Sequence, residues 1–184
     1  MLKLDERVLS AVTAIALVVF LLSRAIGFAW SDKGSIAIIS MTIGGVIVWL
    51  CFLLWFARRV PVTATLAFVT YVMSRLVGLS RFGEYWVDSR SFYVHDGTWV
   101  LAEILVGIAF ALLAYALWRT HYFPIPVVAI FLIYIGVTIV RALGVDQLDI
   151  GTYATMTFVR NLSGGVCYCY LMAYFFIESR IPKH

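Results

Sequence analysis

Residues 8–30 read VLSAVTAIALVVFLLSRAIGFAW, an apolar run of 23 residues whose single charge is Arg24. A helix needs about 20 apolar residues to cross the hydrocarbon core of a bilayer, whereas a membrane strand needs only about 10 and alternates apolar with polar side chains. The run has the length that a helix requires and lacks the alternation that a strand requires. It therefore predicts a membrane-spanning α-helix.

Five further runs of the same kind follow along the chain, at about 35–57, 62–79, 97–118, 122–143 and 152–177. Hydrophobic residues make up 63% of the sequence and charged residues 13%, whereas an ordinary soluble domain is about 25% charged. A soluble core built from 184 residues could not bury so much apolar surface. We therefore predict an all-α integral membrane protein with six transmembrane helices in a single transmembrane domain, residues 1–184.

Most links between the runs are short, which makes neighbouring helices antiparallel. Basic residues collect on one side of the predicted membrane, where loops and tails carry Lys3, Arg7, Arg58, Arg59, Arg119, Arg180 and Lys183. Positively charged loops stay in the cytoplasm, so we expect both termini there, in a bacterial inner membrane. The long link 80–96 then faces outward, and its mixture of aromatic and charged residues is typical of a segment on the head-group layer.

The first, third and fifth runs end alike, with an arginine followed three residues later by a glycine: SRAIG at 23–27, SRLVG at 74–78 and VRALG at 140–144. The second and sixth runs share a glycine pair near their middles, at 44–45 and 164–165. Two interpretations stay open. Either the chain consists of three pseudo-repeated helical hairpins around a common axis, or these features arose independently because membrane helices share them.

Five ionisable residues fall inside the predicted spans, and all lie in the outward half: Arg24, Arg75, Glu103, Arg141 and Arg160. A charge at the bilayer centre costs about 2.5–3.5 kcal/mol on insertion scales. Glu103 can neutralise one arginine, and Arg160 is the partner that its depth favours. At least two positive charges then need water, helix-end carbonyls, lipid phosphate or an anionic ligand.

Two hypotheses account for the arginines. Each side chain can extend along its helix and reach lipid phosphate at the membrane surface, in which case no site exists. Alternatively, the five residues form an outward-facing site that binds or transports a small anionic solute or a lipid head group, because the guanidinium fork binds oxyanions in bidentate fashion. We take the second as the functional hypothesis, with anionic membrane lipids as expected partners.

Catalytic motifs are missing from the sequence, which contains no H-E-x-x-H, no G-x-S-x-G and no Walker A pattern. The three histidines stand outside the spans, so no pair can hold a haem in the membrane. The basic residues form short clusters rather than a stripe, which argues against nucleic acid. We therefore expect no metal or cofactor, and the sequence favours a role other than catalysis while leaving an unfamiliar type of enzyme open.

Two alternatives to the anion site follow from the same apolar composition. The chain can be a non-catalytic integral subunit of a larger membrane complex, because small residues such as glycine let helices of different subunits pack closely. It can also be a homo-oligomeric pore, although the inner halves of the predicted helices offer almost no polar stripe to line one. Partner subunits or further copies of the chain are the expected protein partners.

Overall fold

Six long helices follow one another in the computed structural model, which describes residues 5–29, 34–79, 97–120, 125–144 and 149–180. They are α1 (Glu6–Ala29), α2 (Gly34–Phe56), α3 (Pro61–Leu79), α4 (Gly97–Arg119), α5 (Ile125–Leu143) and α6 (Ile150–Arg180). No strand occurs in these described ranges. The prediction of an all-α protein is confirmed, and each helix coincides with one of the six apolar runs.

Four of the helices, α1, α3, α4 and α5, are long and apolar enough to cross a membrane. The part of α2 whose side chains are described adds a shorter apolar helix, Thr42–Phe56. The longest helix is α6, with 31 residues, and it is more polar because it carries Arg160, Asn161 and several tyrosines. The predicted outward loop 80–96 lies outside the described residues, as do residues 122–124 of the fifth run.

Side-chain caps fix where two of the helices begin. The Asp5 carboxylate accepts a hydrogen bond from the backbone amide of Arg7 at the start of α1. At the start of α6, the amide and the hydroxyl of Thr152 both donate to the Asp149 carboxylate, at 2.9 and 2.6 Å. These bonds satisfy amides that have no partner within the helix, and they hold the pKa of Asp149 below its usual value. Pro61 opens α3, a position where its missing amide hydrogen costs nothing.

The helices form a closed ring in chain order. Each helix packs against the one before it and the one after it, and α6 returns to pack against α1. Short links make neighbours antiparallel, which places the start of α1 beside the end of α2. The ion pair between Glu6 and Arg59, at 3.5 Å, joins these two ends.

A layer of aromatic side chains crosses the interior of the ring. Trp49 of α2 contacts Phe110 of α4 with ring centroids 5.3 Å apart, and Phe110 contacts Tyr168 of α6 at 5.7 Å. The Trp49 Nε1 donates to the Tyr168 hydroxyl at 3.4 Å, which joins α2 to α6. Because α2, α4 and α6 are not neighbours in the ring, these three side chains can meet only across its interior. We call them the central trio.

The other three helices each add one aromatic residue that packs on the central trio. Phe20 of α1 contacts Tyr168 at 5.1 Å, and Tyr71 of α3 stacks on Trp49 at 4.5 Å. Tyr134 of α5 contacts Phe110 at 4.4 Å. Every helix thus contributes one aromatic side chain to this layer, and the layer fills the ring.

The interior stays apolar between the aromatic layer and the end of the bundle where α2, α4 and α6 end. Phe175 of α6 reaches across to Phe52 and Trp55 of α2, with centroids 5.9 and 5.3 Å apart. A cavity of about 10 Å³ lies between α2, α3 and α4 and is lined by apolar side chains. It has room for about one water molecule but offers it no polar partner. This half of the ring is a packed core.

The outer surface of the bundle is apolar and the buried positions include polar ones. Ile15, Leu66, Leu132 and Phe158 are more than half exposed, while Thr138 is fully buried. In water this distribution would leave large apolar areas unpaired, whereas lipid tails cover them without penalty. The exterior therefore agrees with the membrane association that the four apolar helices indicate.

Glycines of α2 and α6 make room for the aromatic layer. A Cβ atom on Gly45 would overlap the Tyr71 hydroxyl oxygen, and one on Gly164 would stand 2.8 Å from Cε2 of Tyr134. Both rings are buried, so neither can swing aside. The glycine pairs that the sequence shows at mid-span therefore include the positions where a neighbouring tyrosine touches the helix backbone.

We expect Gly45→Ala to destabilise the bundle because the new methyl group overlaps the Tyr71 hydroxyl, a kind of overpacking that costs about 1–3 kcal/mol. Tyr71→Phe removes that oxygen and should restore most of the loss in the double variant. The matched control is Gly165→Ala, since nothing lies within 4 Å of a Cβ at Gly165. Thermal unfolding in a neutral detergent measures all four proteins, and an unchanged midpoint for Gly45→Ala would contradict the packing described here.

Candidate functional site

The five ionisable residues inside the predicted spans lie at one end of the bundle. This end, which we call the arginine end, is where α1, α3 and α5 end and where α2, α4 and α6 begin. Arg24, Arg75 and Arg141 stand in the last two turns of α1, α3 and α5. Glu103 lies in the second turn of α4, and Arg160 lies deeper, in the third turn of α6.

Glu103 binds two arginines at once. Its Oε2 atom is 2.8 Å from NH2 of Arg160 and 3.0 Å from NH2 of Arg141. The Arg160 NH2 group also donates to Oε1 of Glu103 at 3.1 Å. The Glu103 and Arg141 side chains are only 13% and 6% exposed. The carboxylate therefore ties α4 to both α5 and α6 within the bundle interior.

Hydroxyl groups complete the surroundings of these two arginines. Arg160 Nε donates to the Thr138 hydroxyl at 3.3 Å. Arg141 NH1 donates to the hydroxyls of Tyr153 and Thr157, at 3.2 and 3.3 Å. Buried guanidinium groups need such acceptors because water cannot reach them freely. Arg141 and Arg160 are thus held in fixed positions by a carboxylate and three hydroxyls.

Arg75 and Arg24 have different surroundings. The Arg75 guanidinium carbon lies 4.7 Å from the centroid of the Tyr71 ring, and that of Arg24 lies 5.9 Å from the Phe20 ring. Within the described part of the chain, no carboxylate lies at ion-pair distance from either arginine. Contacts with aromatic faces stabilise a cation, but they do not cancel its charge.

The five ionisable residues together carry a net positive charge. Four arginines and one glutamate leave +3 among these residues. Arg75 is close enough to Arg160 for their charges to repel each other, and Arg24 interacts electrostatically with Tyr71 and Tyr168 of the aromatic layer. The charges thus share one region above that layer.

The structure separates the arginines into two pairs, whereas the sequence set only Arg160 apart from the other three, by its depth. The predicted pairing of Glu103 with Arg160 is confirmed, and the second partner, Arg141, is an addition. The other hypothesis, that each arginine side chain extends along its helix to lipid phosphate, does not describe Arg141. This residue is only 5% exposed. Whether the five residues bind a ligand remains a prediction.

Sequence reasoning missed the hydroxyl groups of the site. Tyr153 and Thr157 lie four residues apart on α6, with Arg160 three residues further on, so all three share one face of the helix. Thr138 lies three residues before Arg141 on α5. Both spacings were visible in the sequence, but a threonine or tyrosine in a membrane helix is too common to stand out.

The described residues contain no group of three His, Cys, Asp or Glu side chains that could hold a metal ion. Cys51, Cys167 and Cys169 are free thiols. The side chains that the arginine end offers are guanidinium and hydroxyl donors together with one carboxylate.

Comparison of the chain with protein-family models, with curated proteins and with solved structures gives no match. Any function must therefore be argued from the arrangement of the residues themselves.

Glu103→Gln should destabilise the bundle by about 3 kcal/mol or more, because it leaves two buried guanidinium groups without their counter-charge. Loss of structure on gradual addition of a denaturing detergent measures this effect. Glu178→Gln, which removes a carboxylate near the end of α6, is the matched control and should change little. Adding Arg160→Gln to Glu103→Gln should recover part of the loss. Equal stability of Glu103→Gln and Glu178→Gln would show that the shared ion pair does not hold the helices together.

Proposed function

We propose that this protein is a six-span membrane protein that binds an anionic group, a small solute or a lipid head group, at its arginine end. The observation that carries this proposal is the charge imbalance. One carboxylate is already shared by Arg141 and Arg160, while Arg24 and Arg75 lie in the same region without an acidic partner among the described residues. An anion from outside the chain would balance these charges.

Six spans are supported by the length of every helix and by the closed ring. Four helices meet the requirement for a span by length and composition alone. The remaining two, α2 and α6, pack on both sides against those four, and their aromatic residues contribute two of the central trio. A helix that packs along its spanning neighbours in a ring would extend through the same layer.

Three pseudo-repeated hairpins are supported by equivalent contacts. The central trio comes from α2, α4 and α6, and each member follows a glycine by three or four residues: Gly45 and Trp49, Gly107 and Phe110, Gly164 and Tyr168. The residues that pack on the trio come from α1, α3 and α5. The hairpins α1–α2, α3–α4 and α5–α6 would then be three copies of one unit.

The filled ring favours binding over a continuous pore. Side chains from all six helices meet in the aromatic layer, and the half of the ring beyond it is packed with apolar groups. A water-filled channel would need a polar stripe along its whole length. Transport of the anion would accordingly require the helices to move, whereas binding at the arginine end requires no such change.

The distribution of basic residues supports an outward orientation of the arginine end. Arg58, Arg59, Arg119 and Arg180 all lie at the opposite end of the bundle, and positively charged links remain in the cytoplasm. The arginine end would then face away from the cytoplasm, in the leaflet or solution outside. The ligand is expected from that side.

The double variant Arg24→Gln/Arg75→Gln should retain clearly less anionic lipid than the unaltered protein after purification in a mild neutral detergent. Native mass spectrometry counts the bound lipids. The matched control, Arg119→Gln/Arg180→Gln, removes the same charge from the opposite end and should behave like the unaltered protein. Equal loss in both variants would mean that total charge, and not the arginine end, attracts the lipid.

The same measurement tests the role of a non-catalytic subunit, the second candidate function. The exposed apolar surface would suit helix docking with another protein. A stable complex of defined mass with a different chain, unaffected by the Arg24→Gln/Arg75→Gln variant, would favour that function over anion binding.

A further inference from the structure

We propose that the ligand of the arginine end is a terminal phosphate group, a phosphate monoester, and that Arg75, Tyr71 and Arg24 form its binding subsite. This inference rests on the proposed function and makes it more specific. It assigns a different role to Arg141 and Arg160, which would position the subsite without binding the phosphate themselves.

The two pairs of arginines, Arg141 with Arg160 and Arg24 with Arg75, differ in whether a carboxylate of the protein already contacts them. Glu103 contacts Arg141 and Arg160 within 3.0 Å, and three hydroxyls occupy further donors of these side chains. A new anion placed there would have to compete with a buried carboxylate. Arg75 and Arg24 present no such competition within the described residues.

Two buried donors lie beside each other and interact, but neither makes a well-formed hydrogen bond with any other described group. They are Nε of Arg75 and the hydroxyl of Tyr71. Tyr71 is fully buried, and a buried polar group without a partner costs stability unless something else satisfies it. The same hydroxyl interacts electrostatically with Arg75 and Arg24, so all three side chains act on one small region.

The position of Tyr71 is fixed by its neighbours, as a binding group requires. Its ring stacks on Trp49 with an angle of 11° between the planes, and its hydroxyl end touches the backbone at Gly45. Arg75 lies over the face of the same ring at 4.7 Å. A donor held in this way loses little freedom when a ligand binds, which favours affinity.

Charge and shape point to a phosphate monoester. Arg24 and Arg75 together carry two positive charges that no described carboxylate balances. A phosphate monoester at neutral pH carries about −1.5 to −2 and offers three acceptor oxygens, which suits two guanidinium forks and one hydroxyl. A phosphodiester or a carboxylate carries only one negative charge and offers two charged oxygens.

A terminal phosphate can come from the membrane or from solution, and the chemistry of the subsite is the same for both. The first arm of the test therefore uses lipid. Phosphatidic acid, phosphatidylglycerol and phosphatidylcholine with identical acyl chains supply a monoester, a diester and a head group without net charge. Each is titrated into the delipidated protein and bound lipid is counted by native mass spectrometry.

The second arm uses inorganic phosphate with the same delipidated protein in neutral detergent. The shift in the thermal unfolding midpoint is compared with that in sodium chloride of equal ionic strength, because screening alone alters the repulsion between arginines. A shift specific to phosphate assigns the source to solution. Preferential binding of phosphatidic acid assigns it to the membrane.

Arg75→Gln and Tyr71→Phe are the informative variants, and Arg180→Gln is the control. Arg180 also lies over an aromatic ring, that of Phe176 at 4.2 Å, but at the opposite end of the bundle. Arg75→Gln removes an unbalanced charge, so we expect the ligand-free protein to be at least as stable as the unaltered one. Its affinity for the monoester should fall about tenfold or more, as expected for loss of a charged hydrogen-bond donor.

The preference for phosphatidic acid over phosphatidylglycerol should disappear in Arg75→Gln, diminish in Tyr71→Phe and persist in Arg180→Gln. Tight binding of phosphatidylglycerol and phosphatidic acid to the same extent would overturn the monoester assignment and leave the proposed function intact. Unchanged monoester affinity in Arg75→Gln would overturn the subsite. Absence of any preference for anions over phosphatidylcholine and chloride would contradict the proposed function itself.

Discussion

Glu103 carries the only acidic side chain that contacts the buried arginines among the described residues, and two of the four depend on it. Its Oε2 atom lies within 3.0 Å of both Arg141 and Arg160, so three helices meet at one carboxylate. A buried charge is tolerated only when it is paired and hydrogen-bonded. This constraint accounts for the positions of Arg141 and Arg160, and the proposal of a binding site at Arg24 and Arg75 depends on the difference between the two pairs.

The aromatic layer separates the arginine end from the apolar half of the bundle. Trp49, Phe110 and Tyr168 meet across the ring, and Tyr71 stacks on the first of them. The arginine end is therefore a shallow polar region above a packed apolar core. Charges confined to such a region interact with each other and with a ligand more strongly than they would in water, because the surrounding dielectric is low.

Glycine and tyrosine act together in this arrangement. Gly45 permits the Tyr71 hydroxyl to lie against α2, and Tyr71 in turn supports Arg75 from one turn below. A side chain at position 45 would displace the ring and the guanidinium that rests on it. Tyr71 of α3 therefore links the packing at Gly45, in the middle of the ring, to the position of the Arg75 guanidinium at its end.

The sequence by itself determined that the chain is helical, where each helix lies and which charges fall inside the apolar runs. These features are local: the length of an apolar run and the depth of Arg160 or Glu103 within it can be counted along the chain. The order of the ring, the aromatic layer and the second partner of Glu103 were decided only by the tertiary structure. Helices that are apolar on every side carry no stripe that specifies which face turns inward, so the sequence could not show that Arg141 turns toward Glu103 while Arg75 rests on Tyr71.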